Sequence, residues 1–262
     1  MNIDKLFATI KDTKRKKGKI NKGHAITFNL VRHGQAGYEE DVKKPETKKC
    51  AIQFEGEITL DGKEQIKGAA KEIIKQIINK EKELVILLRS PRNRAGESLD
   101  ILKMILEKSR INVYPKVEID ENLADATLTQ EFLDEFEEQK KQDKDLIWMN
   151  FWKKESGKFK NVESAEDFTK RMQALISGFQ QFSLKAEIPE DKKIRFICLT
   201  HEEEIKNIAE HCGIKVDTVK NGEIMEMNII PAGNEDEALI IRTKVGNEET
   251  ERFSDQVFKK TI

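Results

Sequence analysis

The chain has 262 residues, which is enough for one large domain or two small ones with a buried core. Its 47 basic and 48 acidic residues nearly cancel, which argues against a molecule-wide field for nucleic acid or a membrane surface. The 3 cysteines form no disulfide framework, and no apolar run is long enough to span a bilayer, so we expect a cytoplasmic protein.

The two ends of the chain differ in composition from its middle. Residues 1–22 have little apolar surface to bury, and their lysines and arginines all lie at positions 5–22, so we predict a flexible tail. This basic run hints at an anionic partner, but a run without aromatic residues is more typical of a solvated segment, and we do not expect nucleic-acid binding. Residues 246–262 are polar and predicted to be peripheral, which leaves 23–245 as the globular domain.

Between these ends, segments typical of strands and of helices alternate. Apolar runs predict strands at 25–31, 84–88, 194–200 and 238–244. Apolar residues three or four positions apart predict helices at 60–79, near 95–106, at 164–182 and from about 202 to 211. Residues 111–119 are typical of a strand, and Pro115 favours a position at the sheet edge. This alternation predicts an α/β fold with a mainly parallel sheet covered on both faces.

Residues 121–160 depart from this alternation. They are very polar, helical in parts, and contain both tryptophans, Trp148 and Trp152. We interpret this segment as an insertion rather than as part of the sheet.

Polar side chains of one kind follow three of the predicted strands. Arg32, His33 and Gly34 follow the first strand, Arg94 lies shortly after the second, and His201 follows the strand at 194–200. Ligands of open parallel sheets bind beyond the carboxyl ends of the strands. If these strands are neighbours, two imidazoles and at least two guanidiniums meet in one pocket. That composition suits a phosphoryl group, because arginines bind its oxygens and a neutral imidazole can attack phosphorus.

Five segments resemble, in order and spacing, motifs of the histidine phosphatase superfamily, which is also called phosphoglycerate-mutase-like. They are LVRHG at 30–34, ITLDGKEQ at 58–65, SPRNRAGESLDIL at 90–102, ESAEDFTKR at 163–171 and LTHEEEI at 199–205. The resemblance covers about residues 25–230. It implies a three-layer α/β/α fold with a central, mainly parallel sheet, a small helical insertion (about 121–160) over the pocket, and no metal or other cofactor.

The resemblance also implies roles for individual residues. His33 would be the nucleophile that becomes phosphohistidine, while Arg32, Arg94 and His201 would hold the phosphoryl oxygens. The Gly34–Gln35 segment would contribute to substrate binding, with the glycine allowing close backbone approach. Taken alone, His33 is more typical of a buried structural histidine; the ordered companion motifs favour the catalytic role.

The position expected for the proton donor departs from the family pattern. The family usually has Leu-x-Glu after the third strand, whereas this chain has Leu123-Ala124-Asp125. We take Asp125 as the candidate donor because it stands at the glutamate position of this pattern. Aspartate is one methylene shorter than glutamate and reaches less far, so Glu121 is the second choice.

The resemblance leaves more than one activity open. The first expectation is a phosphatase that hydrolyses small-molecule or protein phosphomonoesters. Mutases of the family have a Trp-Asn pair soon after Arg-His-Gly where this chain has Tyr38-Glu39, so a mutase is the alternative. Protein phosphohistidine phosphatases share the RHGQA start but are shorter and lack the insertion and the proton donor. The third alternative is a catalytically weak binding scaffold, because Glu202, Glu203 and Glu204 would repel an anion if they face the pocket. Arg92 is expected to be solvated.

Overall fold

The structure is a computed structural model that describes residues 20–21, 25–37, 57–146, 148–185, 188–189, 192–231 and 239–253. Its strands are β1 Ile20–Asn21, β2 Ile26–Arg32, β3 Glu83–Arg89, β4 Asn112–Val113, β5 Glu118–Ile119, β6 Ile188–Pro189, β7 Lys193–Thr200, β8 Ile224–Pro231, β9 Leu239–Val245 and β10 Glu248–Phe253. Its helices are α1 Leu60–Gln76, α2 Asn93–Lys108, α3 Gln130–Gln142, α4 Trp148–Glu155, α5 Ala165–Lys185 and α6 Glu202–His211. None of these helices is both long and apolar enough to cross a membrane.

The main sheet has the strand order β10-β9-β8-β2-β7-β3-β4, and β5 also pairs with β3. Strands β2, β7, β3, β4 and β5 are parallel to one another, whereas β8, β9 and β10 extend the sheet antiparallel. The predicted α/β fold with a mainly parallel central sheet is therefore confirmed. Pro115 lies between the two short edge strands β4 and β5, where its missing N–H removes no central ladder bond.

Two apolar clusters, one on each face of the sheet, give the fold its three layers. In β3, Val85 and Leu87 pack with α1 and α2, whereas Ile86 and Leu88 belong to the cluster that contains α5 and α6. Successive side chains of a strand point to opposite faces, so a strand covered on both sides is apolar throughout. This is why the run at 84–88 shows no alternation of polar and apolar residues.

The predicted insertion is helical, and its aromatic side chains belong to the apolar cluster that contains α5 and α6. Phe132 on α3 and Phe151 on α4 have ring centroids 5.1 Å apart, and the buried Trp152 donates a hydrogen bond from Nε1 to the Glu163 carbonyl at 2.9 Å. At the start of the segment, the hydroxyl of Thr200 donates to the Leu123 carbonyl at 3.0 Å. The insertion is thus tied to the end of β7, beside the first residue of α6.

The two chain ends are less separate from the domain than their composition predicts. Residues 248–253 form β10, the antiparallel edge strand beside β9, so this part of the segment 246–262 belongs to the sheet. Its polar sequence suits an edge strand, where side chains meet solvent. From the basic tail 1–22, Ile20–Asn21 pairs with β6, and the other tail residues lie outside the described part of the chain.

Candidate active site

The carboxyl ends of three adjacent strands bring the two histidines together. His33 follows β2 and His201 follows the neighbouring β7, where it precedes the first residue of α6. The His33 amide donates to the Thr200 carbonyl at 3.0 Å, which joins the two strand ends directly. The two imidazole rings have centroids 5.1 Å apart at an angle of 65°. The expectation that these strands are neighbours is therefore correct.

Arg94, in the first turn of α2, connects the two imidazoles. Its Nε donates to Nε2 of His33 at 3.0 Å, and its Nη2 donates to Nδ1 of His201 at 3.1 Å. The same Nη2 donates to Oδ2 of Asp125 at 2.6 Å. One guanidinium, with a side chain only 6% exposed, therefore contacts three of the residues that the sequence singled out.

The hydrogen bonds assign a tautomer to each histidine. Nδ1 of His33 lies 2.7 Å from the Gly34 carbonyl, which can only accept, so the ring proton is on Nδ1 and Nε2 carries the lone pair. In His201, Nδ1 accepts from Arg94 and Nε2–H donates to Oγ of Ser90 at 2.8 Å. His33 Nε2 is thus the nitrogen with nucleophilic character.

Both histidines are neutral at neutral pH for physical reasons visible in the site. Burial holds the pKa of His33 well below its usual value, and the nearby His201 and Arg94 lower it further. Burial likewise lowers the pKa of His201 well below its usual value, and the charges of Arg94 and Arg92 lower this pKa further. The lone pair on His33 is therefore not lost to protonation.

Arg32 contacts the turn that precedes β8. Its Nη1 forms an ion pair with Oε2 of Glu202 at 2.9 Å and donates to the Val219 carbonyl. Oε1 of Glu202 accepts from Lys206 Nζ at 2.6 Å and from the Val219 amide at 3.3 Å. Glu202 is therefore paired with two cations, which weakens the repulsion of an anion that the sequence suggested.

The other two glutamates of the triplet differ from Glu202. Glu204 is fully buried in the first turn of α6, and burial, then Glu203 and Asp125, raise its pKa well above the usual value. Burial also raises the pKa of Glu203. The triplet consequently brings less negative charge to the pocket than its composition indicates.

Gly34 does allow a close backbone approach, and the element that approaches it is the start of α1. A Cβ on Gly34 would lie 2.4 Å from the carbonyl oxygen of Gly62, so no larger residue fits. The Gly34 amide donates to Oγ of Ser98 at 3.1 Å, and the Gln35 amide donates to Oε1 of Gln65 at 2.9 Å. These contacts hold the loop after His33 and explain why the motifs at 58–65 and 90–102 accompany Arg-His-Gly.

Asp125 reaches the site in spite of its short side chain. Its two oxygens are each 2.6 Å from a guanidinium, Oδ1 from Nε of Arg92 and Oδ2 from Nη2 of Arg94. The expectation that Arg92 is solvated is wrong, because this side chain is 28% exposed and bound to Asp125. Glu121, the second choice of donor, is an exposed residue at the start of a 3-10 turn.

Residues that the sequence analysis did not single out hold Asp125 and His201 in place. Arg171 of α5 donates from Nη1 to three carbonyls of the Glu121–Ala124 turn, at 3.3, 3.0 and 2.7 Å. Its Nε and Nη2 bind the carboxylate of Glu163 at 2.9 and 2.8 Å. Both residues belong to the motif at 163–171, and Ser90 begins the motif at 90–102. Their presence in those motifs was the available signal.

The comparisons with known proteins agree with this geometry. The sequence profile of the histidine phosphatase superfamily (branch 1) matches residues 28–228. The chain belongs to the histidine phosphatase superfamily. No curated protein sequence matches it.

Solved structures of this superfamily's fold cover most of the chain. A putative alpha-ribazole-5'-P phosphatase from Escherichia coli is 16% identical with a TM-score of 0.56, covering 86% of this chain and 97% of its own. A phosphoglycerate mutase from Bacillus anthracis is 13% identical with a TM-score of 0.60, covering 87% and 94%. A mycobacterial glucosyl-3-phosphoglycerate phosphatase is 16% identical with a TM-score of 0.53, covering 85% and 98%. At these identities the likeness establishes the fold.

The described residues of this histidine phosphatase superfamily member include no group of three His, Cys, Asp or Glu side chains placed to hold a metal ion. The cations whose charges lower the pKa of His201 are Arg94, Arg92, Arg32 and Arg171. What the arrangement offers chemically is a neutral imidazole whose lone pair accepts from Arg94, arginine donors for an oxyanion, and the Asp125 carboxylate bound to Arg92 and Arg94.

Proposed function

We propose that this protein hydrolyses phosphomonoesters through a phosphohistidine intermediate on His33, without a metal cofactor. The observation that carries the proposal is the state of His33, a buried neutral imidazole whose Nε2 lone pair faces Arg94 Nε at 3.0 Å. A guanidinium at that position can bind a phosphoryl oxygen next to the attacking nitrogen. The substrates are small-molecule or protein phosphomonoesters, and the proposed location is the cytoplasm.

In the first step, Nε2 of His33 attacks phosphorus and the bond from phosphorus to the ester oxygen breaks. Asp125 takes a proton from the bound phosphomonoester monoanion and gives that proton to the departing oxygen, which leaves as an alcohol. Arg32 and Arg94 hold the remaining phosphoryl oxygens, where charge increases during the transfer, and His201 joins them by turning its Nε2–H from Ser90 to a phosphoryl oxygen. The product is phosphohistidine, with Nδ1–H of His33 still donating to the Gly34 carbonyl.

In the second step, a water molecule attacks phosphorus and the bond to Nε2 of His33 breaks. The carboxylate of Asp125 accepts the proton of that water as the attack proceeds, so the same side chain acts as acid and then as base. Inorganic phosphate leaves with that proton, and His33 and the arginine-paired carboxylate of Asp125 return to their starting states.

A phosphoglycerate-mutase-type phosphotransferase is the second candidate, because one of the three similar structures described above is a phosphoglycerate mutase, whereas the other two are named phosphatases. We favour the phosphatase because Tyr38-Glu39 stands where the mutases of the family have Trp-Asn. These two residues lie outside the described part of the structure.

Phosphate release from 4-nitrophenyl phosphate and from a panel of sugar phosphates, nucleotides and phosphopeptides tests the proposal. We expect His33→Ala to lower kcat/KM by at least about a thousandfold, because the nucleophile is lost. The matched control is His211→Ala, a half-buried histidine at the other end of α6 whose Nδ1 contacts the Asn207 carbonyl. We also expect an acid-labile phosphoryl group on the wild-type protein after rapid quenching.

Equal rates for wild type and His33→Ala would refute the enzyme and leave a binding scaffold. Conversion of 3-phosphoglycerate that is faster than phosphate release, and that requires a phosphate donor for priming, would identify the mutase instead.

A further inference from the structure

The carboxylate of Asp125 is held by two arginines that have different further contacts. Arg94 also donates to His33 and His201, so it belongs to the group that would bind the phosphoryl oxygens. Arg92 binds Asp125 through Nε and Oδ1 at 2.6 Å, while Oδ2 is bound by Arg94. Oδ2 of Asp125 is thus bound by Arg94, the guanidinium that would also bind phosphate, whereas Oδ1 is bound by Arg92.

The start of α2 fixes the position of both arginines. Arg92 is the residue immediately before α2, and its amide donates to Oγ of Ser90 at 3.3 Å. Its carbonyl accepts from the amides of Ala95 and Gly96, each at 3.1 Å. Three hydrogen bonds therefore hold the backbone of Arg92 at the helix start, from which its side chain reaches Asp125.

A phosphoryl group in the pocket requires the donors that Asp125 occupies. Nη2 of Arg94 is bound to Oδ2 at 2.6 Å, so a phosphate oxygen that takes this donor must displace that carboxylate oxygen. If Arg94 were its only anchor, the displaced Asp125 side chain, which is 22% exposed, would be free to turn away from the pocket toward solvent. Asp125 nevertheless has to stay close to give a proton to the ester oxygen.

We propose that Arg92 is the positioning residue that keeps Asp125 in the pocket when substrate binds. The phosphoryl group takes Nη2 of Arg94, Oδ1 of Asp125 stays on Nε of Arg92, and Oδ2 turns to the ester oxygen. The inference rests on the proposed function and deepens it. It also accounts for the shorter acid, since an aspartate that reaches the ester oxygen needs its own anchor whereas the glutamate of the family motif is one methylene longer.

The test compares substrates that differ in their need for a proton. The 2,4-dinitrophenolate ion leaves without protonation, whereas the alkoxide of β-glycerophosphate needs a general acid. We expect Arg92→Leu to lower kcat on β-glycerophosphate by about 10- to 100-fold, a large part of what a positioned acid contributes, and kcat on 2,4-dinitrophenyl phosphate by at most about threefold. Arg92→Lys should recover part of the loss.

The matched control is Arg242→Leu, which removes an arginine paired with Glu251 on the exposed surface of β9 and β10. It should change neither substrate's kcat. Unfolding midpoints establish that each variant is folded, and Arg92→Lys, which retains the charge, decides the question if Arg92→Leu does not fold.

Three results would overturn the inference. An equal loss on both substrates by a folded variant would mean that Arg92 does not act through the acid. A higher KM together with weaker inhibition by inorganic phosphate, at unchanged kcat, would make Arg92 a phosphate ligand. Absence of His33-dependent turnover in the wild type would remove the proposed function, and this inference with it, so the two failures are distinguishable.

Discussion

At the residue scale, the protonation of His33 and His201 decides whether the pocket has a nucleophile. Burial is the main cause of the lowered pKa of both rings, and neighbouring cations add to it. A histidine with a lowered pKa binds fewer protons in the folded chain than in the unfolded chain at pH values below 6.5. The stability that these residues contribute is therefore present above pH 6.5 and is lost as the pH falls through the lowered pKa values.

This leads to a prediction about ring titration that NMR can measure. The ring nitrogen signals of His33 and His201 should keep neutral-imidazole shifts as the pH is lowered from about 7.5 to about 5.5, across the range where an exposed histidine gains its proton. Spectra of His33→Gln and His201→Gln assign the signals, and the urea-unfolded protein provides the control that titrates normally. A His33 midpoint near the usual value would contradict the burial argument.

At the scale of elements, the start of α1 packs directly on the loop that follows His33. A Cβ on Gly62 would lie 2.4 Å from the Gln35 carbonyl oxygen, and a Cβ on Gly34 would lie equally close to the Gly62 carbonyl. Two facing glycines therefore let the helix and the loop touch backbone to backbone. The loop position, and with it the orientation of His33, depends on a contact with a helix about 30 residues away along the chain.

We predict that Gly62→Ala lowers both stability and turnover. The clash with Gln35 should cost about 1–3 kcal/mol in the free energy of unfolding, as overpacking of a close contact does, and should displace the loop after His33. The control in the same helix is Gly68→Ala, whose Cβ meets no atom within 4 Å. That change should stabilise by about 0.5–1 kcal/mol, because alanine favours a helix interior. Urea unfolding and phosphate release measure the two effects; equal stability of the two variants would refute the packing argument.

At the scale of the whole molecule, the sheet has a second polar cluster away from the candidate active site. Arg195, near the start of β7, binds the carboxylate of Glu83 at the start of β3, and both side chains are almost fully buried. Nη1 of Arg195 also donates to Asn29 at 2.6 Å and to Gln76 at 3.1 Å. The candidate active site lies at the carboxyl ends of the same strands, so it and this buried network occupy different ends of the sheet.

Arg195→Leu should therefore reduce stability with little effect on the pocket. It leaves Glu83 buried without its cation, for which we expect a loss of about 3–5 kcal/mol in the free energy of unfolding. Arg242→Leu breaks the exposed Arg242–Glu251 pair and should cost less than about 1 kcal/mol. Urea unfolding of both variants, with KM measured under native conditions, checks the comparison. A similar loss for both would show that the buried pair contributes no more than a surface one.

Local patterns in the sequence were sufficient for the layered α/β fold and for part of the site. The apolar runs at 84–88 and 194–200 identify β3 and β7, since a strand buried on both faces has no polar side. The placement of His33 and His201 after such runs was enough to predict that they meet, because the carboxyl ends of neighbouring parallel strands share one edge. Residues 248–253 were missed as a strand because an edge strand can be polar.

The partners of the charged side chains were decided by the tertiary structure alone. The sequence ranked Asp125 before Glu121 by motif position alone, and it does not show that Arg92 binds a carboxylate 33 positions later. These contacts depend on how the turn after β5 is held by Arg171 and how α2 begins, and neither leaves a periodic signal in the chain. By itself, the sequence determined which residues meet at the strand ends. Only the folded chain decided which carboxylate and which guanidinium complete the site, because loop geometry rather than local hydrophobic pattern sets the distances between charged groups.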